Sequence, residues 1–256
     1  MQTTVLQECN ILGIKVHPLS LGQLHQFILD AALQNRHSLV LNVNVHCLNL
    51  AYRDIALRDF LNQADIVFCD GAGVVLGARI LGCHIPYRIT YADWTWQLAE
   101  FACIHDLSFF FLGARPGIAE KAAAKLKARF PALRLVGVHH GYFDKTPGSI
   151  ENEMVIQRIN TAAPNILLIG FGMPSQERWL MENWGKIEAN VALTGGAVFD
   201  YVSGDLRRAP RWMTDHGMEW LGRLLIEPQR LWKRYILGNP IFLWRVIMQR
   251  LGRFQV

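Results

Sequence analysis

The chain has 256 residues, of which 51% are hydrophobic and 18% are charged. This length and composition favour a folded protein with a large buried core and exclude a disordered one. The net charge of +5 is confined to one end: residues 204–256 hold ten Arg/Lys and four Asp/Glu, against 16 and 17 in residues 1–203. A nucleic-acid-binding protein more often has a basic stripe on its folded body, so we expect no nucleic-acid partner.

The N-terminus and the apolar runs bear on cellular location. Residues 1–16 lack a basic segment followed by an apolar run, so no secretory signal peptide is expected. No stretch approaches the roughly 18 uninterrupted apolar residues of a membrane span, because residues 241–248 are too few and contain Arg245. The five cysteines include no CxxC pair, and we expect reduced core thiols in the cytoplasm.

Short apolar runs alternate with amphipathic stretches along most of the chain. The runs are apolar throughout rather than alternating, as in strands buried on both faces of a parallel sheet. The predicted strands are residues 11–16, 39–43, 66–69, 108–112, 133–138, 166–169 and 191–193. The predicted helices are residues 21–33, 47–63, 72–81, 92–104, 118–130, 151–162 and 175–184. The pattern predicts an α/β fold, a mainly parallel sheet with helices on both faces.

The pattern changes after residue 200, where three basic amphipathic pieces follow. They are residues 217–227, 228–237 and 241–254, and Gly238-Asn239-Pro240 predicts a helix stop between the last two. The tail also contains four of the eight tryptophans. One interpretation is helices packed on the body with solvated arginines; the one-sided charge favours a surface for membrane or lipid phosphate. We predict a core of residues 1–203 and a basic helical appendage of residues 204–256.

Small and polar residues follow the predicted strands, at the sheet edge where open parallel sheets bind ligands. Three of these turns carry glycine, which lets backbone N–H groups approach phosphate at a helix N-terminus, so a nucleotide ligand is expected. Gly170-x-Gly172-x-x-Ser175 departs from the dinucleotide fingerprint, and no acidic residue follows at the required distance. This opposes a nicotinamide dinucleotide.

Asp70 is the best single candidate for chemistry, since it follows a buried strand and precedes a Gly-x-Gly turn. It is either a general base or the N-cap of the next helix. No Asp-x-Asp, HxxxH or HExxH pattern occurs, so no bound metal is indicated. Positive charge for a diphosphate leaving group would then come from Arg, Lys and helix N-termini.

Several segments, in order, carry a resemblance to a known family. They are Ala64-Asp65-Ile66 through Asp70-Gly71-Ala72-Gly73-Val74-Val75, Tyr87-Arg88-Ile89-Thr90-Tyr91-Ala92-Asp93, Phe111-Leu112-Gly113-Ala114, Gly170-Phe171-Gly172-Met173-Pro174-Ser175-Gln176-Glu177, Gly195-Gly196-Ala197-Val198-Phe199-Asp200, and in the tail Arg208-Ala209-Pro210, Glu219-Trp220-Leu221-x-Arg223-Leu224, Glu227-Pro228-x-Arg230 and Arg234-Tyr235. Together they resemble the WecG/TagA/CpsF family of bacterial glycosyltransferases (family 26).

The resemblance implies an activity and a setting. The activity is inverting, metal-independent transfer of a sugar from a UDP-sugar to a polyprenyl-diphosphate-linked saccharide, with no cofactor besides the donor. The setting is surface polysaccharide synthesis by a cytoplasmic protein held peripherally on the inner face of the plasma membrane. The implied fold is a Rossmann-like core with a C-terminal appendage that docks on the membrane and supplies arginines. Independently of the resemblance, apolar surface on the core helices would permit a homo-oligomer.

The resemblance also implies residue roles. Asp70 is the implied base that deprotonates the acceptor hydroxyl. The implied acceptor and diphosphate residues are Asn42, Asn44, Arg88, Thr90, Arg208, Arg211, Arg223 and Arg230. The implied donor residues are Gly113, Gly170, Gly172, Gln176, Glu177, Thr194, Gly195 and Gly196.

The chain departs from the family pattern at the implied sugar site. Asn42 stands where Thr is frequent, His46 replaces an acidic residue and Ser175 replaces a lysine. The donor is therefore open between UDP-N-acetylmannosamine, its uronic acid and UDP-glucose. Two other functions stay open: a non-catalytic, membrane-associated regulator that binds UDP-sugar, and a dinucleotide-dependent oxidoreductase.

Overall fold

The computed structural model describes residues 7–253. Two predictions lie partly outside these residues. They are the end of the last helix at residue 254 and the first residues of the segment for which no signal peptide is expected.

Within residues 7–253 the chain forms eight strands and thirteen α-helices. The strands are β1 Cys9–Ile11, β2 Ile14–Val16, β3 Ser38–Val43, β4 Ile66–Cys69, β5 Ser108–Gly113, β6 Arg134–His139, β7 Ile166–Gly170 and β8 Val191–Thr194. The helices are α1 Leu21–Leu33, α2 Val45–Ala51, α3 Ile55–Gln63, α4 Ala72–Ile80, α5 Tyr91–Ile104, α6 Ile118–Arg129, α7 Ile150–Ala162, α8 Ser175–Asn183, α9 Val198–Ser203, α10 Arg211–Asp215, α11 Glu219–Ile226, α12 Pro228–Trp232 and α13 Gly238–Arg250.

Six strands form one sheet with the order β4-β3-β8-β7-β5-β6, and the pairs β3–β8, β8–β7, β7–β5 and β5–β6 are parallel. Strands β3, β4, β5, β7 and β8 are buried at every residue, as their unbroken apolar runs predict. The predicted α/β class with a mainly parallel sheet is confirmed.

The first predicted strand, residues 11–16, is wrong in its extent. It is a hairpin of two short strands, with Ile11 opposite Ile14, and these strands form a separate two-stranded sheet. Leu12 and Gly13 both have positive φ, at 52° and 83°, which is the backbone that a two-residue hairpin turn requires. The predicted helix of residues 47–63 is likewise two helices, because Asp54 caps a new one by accepting a hydrogen bond from the Leu57 N–H.

Contacts between Cα atoms divide the chain into two compact units. The first comprises the described parts of Met1–Leu21, Asn42–Ile89 and Arg207–Val256. The second comprises Gly22–Leu41 and Thr90–Leu206. The functional division into residues 1–203 and 204–256 stays a prediction, while by its contacts the tail clusters with residues 42–89.

In the first unit the tail contributes to the core. Phe242 and Val246 of α13 are buried, and a Cβ atom added to Gly77 of α4 would lie 2.6 Å from the Phe242 ring. Arg245 donates a hydrogen bond to Asn49 Oδ1 at 2.7 Å and lies over the Tyr52 ring at 3.9 Å. The basic tail is therefore a packed element, and Arg245 is held at a defined position.

The predicted helix stop at Gly238-Asn239-Pro240 is wrong. Helix α12 continues through a π-helical turn, Lys233–Leu237, directly into α13. Gly238 is right-handed helical, with φ −67° and ψ −39°, so it does not act as a C-cap. Pro240 lies in the first turn of α13, where its missing N–H is tolerated, and the wider turn before it absorbs the change in hydrogen bonding.

Candidate active site

Asp70 lies in the first unit, immediately after β4. Its backbone N–H donates to the Val43 carbonyl at 2.8 Å, which ties it to the end of β3. Asn42 Nδ2 donates to Asp70 Oδ2 at 3.0 Å, so an amide from the neighbouring strand orients the carboxylate. The N-cap of α4 is Gly71, without a side-chain capping bond. Asp70 therefore does not serve as the N-cap, and its carboxylate is available for chemistry.

The surroundings of Asp70 raise its pKa to about 6. Burial is the main cause, the nearby Glu219 carboxylate adds to it, and the cations of Arg234, Arg223 and Arg88 oppose it. A carboxyl group with this pKa is mostly ionised at pH 7 and still basic enough to accept a proton.

Arg88 is not a solvated linker charge. Its guanidinium donates to the Thr214 carbonyl at 3.0 Å and to Glu219 Oε2 at 3.4 Å. Arg208 approaches the other oxygen of Glu219, with Nε 3.8 Å from Oε1. Glu219, whose charge influences Asp70, therefore pairs with two of the predicted diphosphate-binding arginines.

Glu227 holds two further arginines. Its Oε1 atom lies 3.1 Å from Arg230, and its Oε2 atom lies 3.8 Å from Arg223. The π-helical turn then brings Arg234 close enough to influence Asp70, and burial lowers the pKa of Arg234. Its Nε atom is buried and has no hydrogen-bond partner among the described residues. A π turn is frequent at functional sites, and here it presents a cation.

These residues form what we call the Asp70 cluster. It contains five guanidinium groups and three carboxyl groups, so it has an excess of two positive charges when all are ionised. Its members are Asp70, Arg88, Arg208, Glu219, Arg223, Glu227, Arg230 and Arg234. Such a cluster complements a diphosphate.

Other predicted acceptor residues lie elsewhere or have structural contacts. Asn44 caps α2, where its Oδ1 accepts from the Cys47 N–H at 3.1 Å. Thr90 belongs to the second unit and donates to Asp93 Oδ2 at 3.3 Å as the N-cap of α5. Arg211 is exposed at the start of α10. Half-buried His46 has its pKa lowered to about 4, by burial first and by Arg234 second, so it is neutral at pH 7.

The second unit holds the glycine turns. Strands β5 and β7 are neighbours in the sheet. The connection from β5 leads outward to β6 on one side, and the connection from β7 leads to β8 on the opposite side. Ligands bind at such a switch point in open α/β sheets. Gly113 and Gly170 are paired there, and a Cβ atom on Gly113 would lie 2.5 Å from the Gly170 carbonyl oxygen. Close backbone packing therefore requires both glycines.

The turns after β7 and β8 are joined by a side chain. Gln176 Oε1 accepts from the N–H groups of Gly172 at 3.2 Å and Gly196 at 3.0 Å, and its Nε2 donates to Glu177 Oε1 at 2.8 Å. Burial raises the pKa of Glu177 to about 7, which the Gln176 hydrogen bond partly offsets. Gly195 donates to the Ile169 carbonyl at 2.7 Å. Thr194 is the buried last residue of β8.

Sequence reasoning missed Glu219, Glu227 and Arg234 as site residues. Arg234 lies in a motif and in the predicted amphipathic piece of residues 228–237, but the sequence did not indicate the π-helical turn that brings it near Asp70. The two glutamates lie in the basic tail of the chain, and a sparse acid among many arginines is a signal that could have identified them.

Residues 7–253 contain no group of three or more His, Cys, Asp or Glu side chains arranged to hold a metal ion. In the same range no helix has both the length and the apolar character needed to cross a membrane.

Comparison with known proteins identifies the family. The sequence profile of the glycosyl transferase WecG/TagA/CpsF family matches residues 9–255. Among curated proteins, N-acetylglucosaminyldiphosphoundecaprenol N-acetyl-beta-D-mannosaminyltransferase from Staphylococcus aureus strain NCTC 8325 / PS 47 is 29% identical over 209 residues, 81% of this chain and 78% of the relative. The protein of the same name from strain MW2 matches equally in identity and coverage. The chain belongs to the WecG/TagA/CpsF family and is a glycosyltransferase.

Proposed function

We propose that this glycosyltransferase moves a sugar from a UDP-sugar to a saccharide carried on a polyprenyl diphosphate, with inversion at the anomeric carbon. The names of the relatives support the acceptor class, since they describe transfer to a sugar on diphosphoundecaprenol. The observation that carries the proposal is a carboxylate with raised pKa, oriented by Asn42 and surrounded by arginines.

The proposed reaction is a single displacement. Asp70 takes the proton of the acceptor hydroxyl as its oxygen bonds to the anomeric carbon, on the face opposite UDP. The bond from that carbon to the diphosphate oxygen breaks, and the electron pair leaves with UDP. Negative charge therefore grows on the diphosphate, where preorganised cations stabilise the transition state most.

Metal independence is part of the proposal, and the arginines of the Asp70 cluster support it. Arg88, Arg208 and Arg223 are each paired with a glutamate at distances of 3.4 to 3.8 Å, so they are ordered before substrate arrives. Ordered guanidinium groups bind phosphate oxygens through paired N–H donors. They can therefore balance the negative charge of a diphosphate, as a bound divalent cation can.

The proposed location is the inner face of the plasma membrane. Four exposed apolar side chains at helical spacing form a stripe, three on α13 and one at its C-cap: Ile241, Trp244, Ile247 and Leu251. Phe242 and Val246 on the other side of this helix are buried in the first unit. An exposed apolar stripe with tryptophan on a basic segment is typical of a helix lying in a membrane interface, near a lipid-linked acceptor.

A donor screen tests the proposal. The protein is incubated in EDTA with a synthetic polyprenyl-diphosphate-linked N-acetylglucosamine and with UDP-glucose, UDP-N-acetylmannosamine or its uronic acid, and product is followed by mass spectrometry. Transfer from one donor, undiminished by EDTA, is the expected result. UDP binding without transfer from any donor to this acceptor or to a lipid-linked disaccharide would favour the regulator instead. Activity that requires added magnesium would overturn metal independence.

A further inference from the structure

Gln176 and Glu177 begin α8 with side chains that are completely buried. A side chain with no exposed surface cannot reach a sugar from the pocket wall without rearrangement. Polar residues are rarely buried in this way unless they are hydrogen-bonded and needed where they are. Gln176 and Glu177 therefore act through the groups that they contact inside the protein.

The Gln176 amide oxygen receives two backbone hydrogen bonds from different turns. One comes from Gly172, after β7, at 3.2 Å, and the other from Gly196, after β8, at 3.0 Å. Both glycines have positive φ, at 84° and 58°, and a Cβ atom on either would meet nothing within 4 Å. The turns thus have an open side, and the Gln176 oxygen fixes their separation from behind.

Glu177 determines which end of the Gln176 amide faces the glycines. Its Oε1 accepts from Gln176 Nε2 at 2.8 Å. If the amide turned over while Glu177 is ionised, its NH₂ group would meet two N–H donors and its oxygen would meet a carboxylate oxygen, so both contacts would be lost. The other oxygen, Oε2, is buried and has no hydrogen-bond partner among the described residues. A residue with only a packing role would not need this unsatisfied atom.

We propose that Gln176 and Glu177 are positioning residues that set the separation and orientation of the turns at Gly172 and Gly196, on which donor binding depends. Gln176 is the link between the turns, and Glu177 is the group that orients it. The inference rests on the proposed function for its consequence, because these turns are the ones expected to bind the UDP-sugar. The linkage itself is a property of the second unit and can be measured without any substrate.

The linkage is tested by amide hydrogen exchange, followed by NMR on the full chain. Glu177→Leu removes the acceptor, and Glu177→Gln keeps an oxygen at the same place. We expect Glu177→Leu to speed exchange at Gly172 and Gly196 by at least about tenfold, while the Gly195 amide, bonded to the Ile169 carbonyl, keeps its rate. Glu177→Gln is expected to keep the native rates within a few-fold. Glu182→Leu, an exposed position on the same helix, is the matched control.

A double variant keeps the test decisive if Glu177→Leu does not fold. In the Gln176→Glu, Glu177→Gln double variant, the carboxylate oxygens of residue 176 accept from the two glycine N–H groups and from the NH₂ group of residue 177. Every donor still has an acceptor, although the hydrogen bond between residues 176 and 177 is reversed in direction. We expect protected amides at Gly172 and Gly196 in this variant and lost protection in Gln176→Glu alone. Equal exchange in the single and double variants would overturn the orienting role of Glu177.

The consequence for donor binding is read from kinetics and UDP titration. Glu177→Leu should raise the donor KM and the UDP dissociation constant about tenfold or more, with a smaller change in kcat, and Glu177→Gln should restore most of the loss. Faster exchange with unchanged UDP affinity would refute the link to donor binding. If the native protein transfers no sugar, the proposed function fails, but the exchange result still decides the linkage.

Discussion

Asn42 Nδ2 donates a hydrogen bond to Asp70 Oδ2 at 3.0 Å, so the last residues of β3 orient the carboxylate that follows β4. The cations of Arg88, Arg223 and Arg234 lower the pKa of this carboxylate, and the Glu219 carboxylate raises it. Orientation and charge are therefore set by different residues and can be varied separately.

Asn42→Ala should lower kcat about tenfold, because a hydrogen bond to a charged group contributes roughly 1.5 kcal/mol or more. The loss of its donor should also raise the pKa of Asp70 and move the acidic limb of the rate profile to higher pH. Steady-state kinetics across pH 5–8 measure both effects. An unchanged kcat and pH profile would mean that Asn42 does not orient the base.

The acidic limb of kcat/KM should have an apparent pKa near 6, with activity lost as the pH falls, since only ionised Asp70 accepts the proton. Glu219→Gln removes a negative neighbour and should move the limb to lower pH. Arg223→Gln removes a positive neighbour and should move it to higher pH. Limb positions that do not respond in these opposite directions would point to another titrating group.

The stripe on α13 predicts binding to lipid. The Trp244→Ser, Ile247→Ser double variant should reduce sedimentation with anionic vesicles about tenfold or more, because burying one large apolar side chain contributes roughly 1.5–3 kcal/mol. Ile104→Ser, at an exposed apolar residue of the second unit, is the control. Equal vesicle binding by the native protein, the double variant and the control would show that the stripe does not bind the membrane.

Glu177 predicts a pH dependence of stability. Its pKa is raised from 4.5 to about 7 in the folded protein, so the folded state binds the proton more tightly than the unfolded state. This group's contribution to the free energy of unfolding is complete below pH 4.5 and is lost as the pH rises through 7. Glu177→Gln removes this pH dependence. The free energy of unfolding of the variant minus that of the native protein should therefore rise by about 3 kcal/mol between pH 4.5 and 8. Urea unfolding at several pH values measures the difference, and a pH-independent difference would contradict the assignment.

The sequence predicted the sheet well because buried parallel strands leave an unmistakable apolar run, and β4 matches its prediction at both ends. It also placed Asp70 and the glycine turns after these strands. The hairpin at Leu12-Gly13 escaped prediction because only backbone torsions separate it from one strand. The packed tail escaped because the burial of Phe242 against Gly77 depends on contacts distant in sequence.

Side-chain pairing was the least predictable feature of the site. Sequence motifs indicate that Gln176 and Arg88 belong to a site, but not that one bridges two backbone turns and the other contacts Thr214 and Glu219. Such contacts depend on rotamers selected by the completed fold.

The most direct test of the account is transfer by Asp70→Asn, measured beside UDP binding in the same preparation. The amide is isosteric and can still accept the Asn42 hydrogen bond, so the fold and UDP affinity should be preserved while transfer falls by on the order of 10²- to 10⁴-fold. Transfer within a few-fold of native, with UDP affinity also unchanged, would contradict the central claim that Asp70 is the general base.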